Sequence, residues 1–185
     1  MQPASAVDIQ PAVSLLGKTP QLLETLLGDL PGELLHWKPR PDRWSISEVL
    51  AHLAALEQVY AERVLRIMAE DSPPLAKYDL DGAKARQDYA RGSAGENLGH
   101  FTRTRRSSLA LLAGLPPSAG ARTAVHSELG TVTLVQLLNE WANHDLGHLR
   151  QIVISPFIEQ LHERNRAEFG MDGSASACRW RKSGK

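Results

Sequence analysis

Four stretches of this chain repeat apolar residues at helical spacing, each bounded by helix start and stop signals, and no stretch alternates as a strand does. An amphipathic helix has to bury its stripe against another, so four of them in 185 residues predict an all-α four-helix bundle in one domain. The first run is Leu22, Leu23, Leu26, Leu27 and Leu30, stopped by Pro31-Gly32. Thr19-Pro20 reads as its N-cap and first helical position, with residues 11–18 forming a separate short helix. A second run opens at Ser45-Ile46-Ser47-Glu48, which has capping-box spacing, and continues through Val49, Leu53, Leu56, Tyr60, Val64 and Ile67 to Asp71-Ser72-Pro73-Pro74. Glu48 is thereby assigned to the cap rather than to proton transfer.

The third run starts at Ser93, with Glu96 three residues on, and reaches Gly114 before Pro116-Pro117. Its basic cluster, Arg103-Thr104-Arg105-Arg106, reads as a solvated face. Residues 114–130 read as a loop-rich connection. The fourth run follows Gly130, with Thr131 or Thr133 as cap, and carries Leu134, Leu137, Leu138, Trp141, His144, His148 and Ile152. Ser155-Pro156 should kink or end it, with residues 157–169 as a further helical piece. The domain is expected to span residues 1–169, and residues 170–185, rich in Gly, Ser and basic side chains, to form a flexible polar tail.

His144 and His148 stand at i and i+4 on that last helix, where successive residues turn by about 100° and the two imidazoles project from one face. This is ligand spacing for one metal ion. His52 lies on the second amphipathic run, on a face shared with Leu56 and Val59. Three imidazoles from two helices would leave a divalent ion with open positions, an arrangement of catalytic rather than structural sites. The alternative is a set of core histidines bonded to backbone carbonyls. Imidazole donors suit Zn, Ni, Fe or Co without choosing among them, Zn or Ni being the expectation adopted, and uptake should fall below about pH 6, where free imidazole protonates.

Glu140 and Gln151 fall near the histidine face and are candidates either to orient an imidazole and handle a proton or to lie exposed beside it. Asp145 points about 100° away from His144, which makes it a poor co-ligand. It also replaces the glutamate of an H-E-x-x-H zinc motif. His36, His100, His126 and His162 have no partner at ligand spacing, and Trp44 and Trp141 read as core anchors. No residue stands out in the sequence as catalytic.

Lys plus Arg and Asp plus Glu number 21 each, so no net field draws the chain to nucleic acid or an anionic membrane. The single Cys178 leaves no internal disulfide, the N-terminus lacks a signal-peptide pattern, and no apolar run reaches the ~20 residues of a bilayer span. A cytoplasmic protein is expected.

The element Trp44-Ser45-Ile46-Ser47-Glu48-Val49-Leu50-Ala51-His52, the run Gly130-Thr131-Val132-Thr133-Leu134, and Trp141-Ala142-Asn143-His144-Asp145-Leu146-Gly147-His148 with Leu149 to Ile152 after it together resemble the DinB-like superfamily, close to its DinB_2 branch. The likeness extends over residues 15–152 and includes the acidic-Pro-Pro loop at Asp71. It implies a bundle of up-down-down-up connectivity, often dimeric, in which His52, His144 and His148 form a three-histidine metal site. Ser155-Pro156 and the tail after Phe169 depart from the family pattern. Members of the superfamily include S-transferases and an isomerase that use low-molecular-weight thiols, and metal-dependent hydrolases, some linked to stress. The leading expectation is therefore a metal-dependent thiol S-transferase of detoxification or stress response acting on a small molecule. A hydrolase and a non-catalytic metal-binding module are the alternatives. The resemblance, with the leucine-rich helices, also implies a homodimer.

Overall fold

The computed structural model describes residues 8–28, 30–86 and 88–169. Helix α1 spans Gln10–Gly28, a short α2 Gly32–His36, α3 Ile46–Ala69, a short α4 Leu80–Ala85, α5 Ala94–Ala113 and α6 Leu134–Phe169. The four long ones form the bundle. Capping boxes open α3 at Ser45/Glu48 and α5 at Ser93/Glu96, at the positions read from sequence. Of the two candidate caps for α6, Thr133 serves: its Oγ1 accepts from Gln136 N at 3.3 Å while Gln136 Oε1 accepts from Thr133 N at 2.8 Å.

Side-chain pairs give the helix directions. Ser47 meets Asn97 and Glu57 meets Ser108, so α3 and α5 run parallel. His52 faces His144 and Tyr60 faces Glu140, so α6 runs against α3. The N-terminal part of α1 (Ala12, Leu16) shares one apolar cluster with Leu134 to Leu138, and Leu23 shares the other with Leu149 and Ile152, so α1 runs with α6. This is the up-down-down-up order. Two parallel neighbours require a long crossover, supplied here by the connection between α3 and α5.

Two sequence expectations about helix ends are corrected. Helix α1 is continuous through Pro20, and Thr19 is no cap but fully buried inside the helix. Proline at 20 cannot donate to the carbonyl of Leu16, four residues back. That carbonyl instead accepts from Arg105 Nη1 at 2.8 Å, so the tertiary fold supplies the missing donor. Helix α6 does not end at Ser155-Pro156, and the helical piece expected over residues 157–169 is its continuation to Phe169. Residues 170–185, expected as a polar tail, lie outside the described residues.

A small sheet, unread in the sequence, ties the two long connections together at one end of the bundle. Strand β1 (Pro74–Leu75) pairs in parallel with β2 (Thr123–His126), which pairs antiparallel with β3 (Gly130–Thr133). Strands of two and four residues are too short to show alternation. Gly130, at φ 72°, closes the hairpin in a conformation few side chains tolerate. Arg122, just before β2, caps α3 by donating from Nη2 to Glu70 O at 2.7 Å and from Nε to Ile67 O. No helix among the described residues is long and apolar enough to cross a membrane.

Most buried hydrophobic side chains fall into two clusters, one built on Leu16, Tyr60, Val64, Ile67 and Trp141, the other on Leu23, Leu50, Leu53, Phe101 and Ile152. Polar groups lie at the level where they meet.

Candidate metal centre

His52 stands on the buried face of α3, two turns in from its capping box, and is 3% exposed. The box is further fixed from outside by Lys38 Nζ, 2.6 Å from Glu48 Oε1, so Glu48 is the capping residue expected of it. On α6, the i,i+4 spacing carries His144 and His148 to the same point. His144 Nε2 lies 3.0 Å from His52 Nε2 and 3.2 Å from His148 Nε2, and the three residues offer ligand atoms all within 4.8 Å of one another.

Hydrogen bonding alone does not account for that convergence. A ring nitrogen has one N–H or one lone pair, so His144 Nε2 can satisfy one of its two close neighbours but not both well. A cation accepting three lone pairs satisfies all three. Metal–nitrogen bonds of about 2.0–2.1 Å put cis ligands roughly 2.9 Å apart in an octahedron and roughly 3.3 Å apart in a tetrahedron. The two observed separations fall in that interval. The residues present fit a divalent ion.

The ring orientations agree. Gln151 Oε1 lies 3.0 Å from His148 Nδ1 and accepts its proton, which leaves the lone pair on Nε2, facing the other histidines. Of the two readings for Gln151, orientation of an imidazole is the one observed. Glu140 orients none of the three: it accepts from the Tyr60 hydroxyl, whose ring centre is 6.2 Å from that of His144. Nδ1 of His52 and of His144 find no hydrogen-bond partner among the described residues. His36, His100 and His126 lie outside the cluster, as expected.

Aromatic rings close the site. Trp44 tilts against the His52 ring at 4.7 Å and stacks on His148 at 6.1 Å, while Tyr89 meets His52 edge-on at 5.1 Å. Tyr78 and Tyr89 join hydroxyls at 2.6 Å, which ties the crossover connection down over the histidines. Trp44 packs against the second apolar cluster, as expected of it, and also forms a wall of the site. Trp141 is the anchor, 1% exposed and stacked on Tyr60 at 4.8 Å.

Below the histidines lies a charged layer that corrects the reading of the basic cluster as wholly solvated. Arg103 and Arg106 are exposed, but Arg105 is 0% exposed. It donates from Nε to Glu57 Oε1 at 2.9 Å and from Nη1 to Asp145 Oδ2 at 2.7 Å, and its Nη2 also bonds Glu57. Ser108 and the Trp141 indole donate to Glu57, at 2.9 and 3.1 Å, and Thr19 donates to Asp145 at 2.8 Å. Asp145 is thus turned away from the three histidines, as the helical geometry required. Two carboxylates from different helices are matched to one buried guanidinium.

Burial, reinforced by the neighbouring imidazoles, pushes His52 down to about 3 from 6.5. Burial, with His148 and Arg105 adding to it, pushes His144 down to about 4. His148 is also lowered by burial, against opposing contributions from Gln151 and Asp145. Lone pairs are therefore available at neutral pH, and protons compete for them only at a lower pH than the value near 6 that free imidazole would give. Buried neutral imidazoles bind fewer protons folded than unfolded, so stability present above pH 6.5 is lost as pH falls toward the folded values. For His52 and His144 together, the metal-free protein should lose roughly 3 kcal/mol between pH 6.5 and 5. Thermal melts of chelator-treated protein across that range measure the loss. A flat melting temperature would mean that the rings are not held neutral.

An all-α bundle with an open three-histidine cluster between two of its helices defines a class of candidate metal-dependent proteins. The DinB_2 model of the DinB superfamily matches residues 15–152, and the chain belongs to that family. Among solved structures it is similar to YfiT from Bacillus subtilis, described as a probable metal-dependent hydrolase with an unusual four-helix bundle topology. The two share 19% identity with a TM-score of 0.70, over 89% of this chain and 91% of YfiT. No curated protein sequence matches the chain.

Proposed function

We propose that this protein is a metal-dependent enzyme acting on a small molecule, with His52, His144 and His148 as the three protein ligands of one divalent ion, Zn or Ni ahead of Fe or Co. The observation that carries this reading is the meeting of three Nε2 atoms from two helices. Bound there, such an ion supplies Lewis acidity that lowers the pKa of a thiol or of water at its remaining positions. Gln151 holds the His148 ring in the required tautomer, and Trp44, Tyr78 and Tyr89 keep bulk water from the back of the site.

Within that reading, the nucleophile is a low-molecular-weight thiol and the reaction an S-transfer of detoxification or stress response in the cytoplasm. Hydrolysis is the second reading, favoured by the likeness to YfiT. Titrating a cobalt-loaded form with small thiols separates the two. Thiol ligation should add an intense sulfur-to-metal absorption, whereas a spectrum unmoved by any cellular thiol would leave hydrolysis as the better account.

We also propose a homodimer. Leu146, Val153 and Phe157 line one side of α6, separated by seven and four residues, and all are exposed, at 42%, 55% and 65%. Sedimentation at high micromolar concentration should show two chains, and a monomer there would refute it.

A further inference from the structure

A cavity of about 560 Å³ opens beside the histidines and shares two residues with their surroundings. Trp44, which packs on His52 and His148, forms part of one wall. Gln151 forms part of another, and because its Oε1 is held by His148, its amide nitrogen retains two donors. Three guanidinium side chains complete the lining: Arg40 and Arg43 from the connection before α3, and Arg150 from α6. Among the described residues, no carboxylate lines this cavity.

Arg40 is already engaged, gripping both oxygens of Asp42 at 3.0 and 2.7 Å. Arg43 feels Asp42 only through space, and neither it nor Arg150 makes an ion pair or a side-chain hydrogen bond among the described residues. In a chain with as many acidic as basic residues, two guanidinium groups outside any ion pair among the described residues, in one cavity, are a local feature rather than the consequence of a basic protein. A guanidinium matches the two oxygens of a carboxylate or phosphate in a way that a point charge does not. Ile154 and the Trp44 ring add apolar surface for the body of a ligand, and the volume lies within the range of small-molecule sites.

We propose that this cavity is an oxyanion subsite: Arg43 and Arg150 hold a carboxylate or phosphate group of a small substrate and so direct its other end past Gln151 toward His148. The subsite deepens the function proposed above and rests on it only for what happens at that other end.

Calorimetric titration of the metal-loaded full chain at low ionic strength tests it, with succinate, inorganic phosphate and the uncharged succinamide as probes. At least one anion should bind saturably and succinamide should not; the preferred anion then identifies carboxylate or phosphate as the natural group. Arg43→Gln and Arg150→Gln should each weaken that binding about tenfold or more, as should raising the salt from roughly 20 to 300 mM. Arg106→Gln, exposed on α5 outside the cavity, should change nothing. His144→Ala should keep the anion affinity, because guanidinium groups rather than the ion hold the probe. Loss of anion binding in that variant would overturn the proposal, as would succinamide binding as tightly as succinate, affinity unchanged from the parent protein in both arginine variants, or no anion binding at about ten millimolar. Metal content measured on the same samples keeps the two ideas apart. A protein that takes up no metal yet binds the anion through Arg43 and Arg150 supports the subsite and removes the metal chemistry. One that holds metal but no anion does the reverse.

Discussion

His144→Ala and His52→Ala should each abolish stoichiometric metal binding, lowering affinity at least about a hundredfold, while His36→Ala and His100→Ala leave it unchanged. All four substitutions remove an imidazole, but only the first two remove a nitrogen from the cluster. The His52 variant is the sharper test. It lies on α3, ninety-two residues before its closest partner in sequence, so its loss reports on the assembled bundle and not on a local helical motif. A simple i,i+4 pair on α6 would survive it. Elemental analysis of protein purified without chelating resin, paired with circular dichroism to show that the variants fold, gives the result. Full metal occupancy in folded His52→Ala protein would remove the three-histidine centre and the function proposed from it.

The histidine pair was readable because helical geometry fixes it: residues four apart on one helix must share a face. His52 was readable only with a second source of information, since nothing local says which turn of α3 meets which turn of α6. The capping boxes of α3 and α5 were legible because their chemistry is confined to four residues. Pro20 was misread for the opposite reason. Proline ends a helix when its lost hydrogen bond has no replacement, and here the replacement comes from Arg105, more than eighty residues away. The short strands escaped because their pairing is set by the ends of the long connections.

Glu57 was passed over altogether, yet the sequence held a signal for it and its partners. Arg105 interrupts the stripe Leu98, Phe101, Leu112, and Glu57 sits in register with Leu53, Tyr60 and Val64. Asp145 falls between Trp141 and Leu149 on the buried side of α6. A charged residue at an apolar position of three different helices is a set of buried partners waiting to be matched, and the charges balance to within one. Reading Arg103-Thr104-Arg105-Arg106 as a block hid this, because a turn of helix points its members in different directions and only one of these faces inward.

That layer yields the largest stability effect expected of a single substitution. Arg105→Met keeps the length and apolar stem of the side chain but removes five donors, leaving Glu57 and Asp145 buried at 1% exposure without their cation. It also withdraws the donor to the Leu16 carbonyl, which Pro20 cannot replace, so α1 loses its tie to α5 at the same point. Breaking a buried pair from one side costs about 3–5 kcal/mol, and at roughly 2–4 °C per kcal/mol for a chain of this size the melting temperature should fall by roughly 6–20 °C. Removing the charges from both sides should cost much less. Adding Glu57→Gln and Asp145→Asn to Arg105→Met eliminates the uncompensated carboxylates, while Ser108, Trp141 and Thr19 keep hydrogen-bonding partners. The triple variant should therefore recover much of the loss, a non-additivity that independent packing damage would not produce. Thermal denaturation of the single, the carboxylate double and the triple variants measures it. Additive losses across the three would show that the network is not a coupled charge layer, and that Arg105 acts by filling space alone.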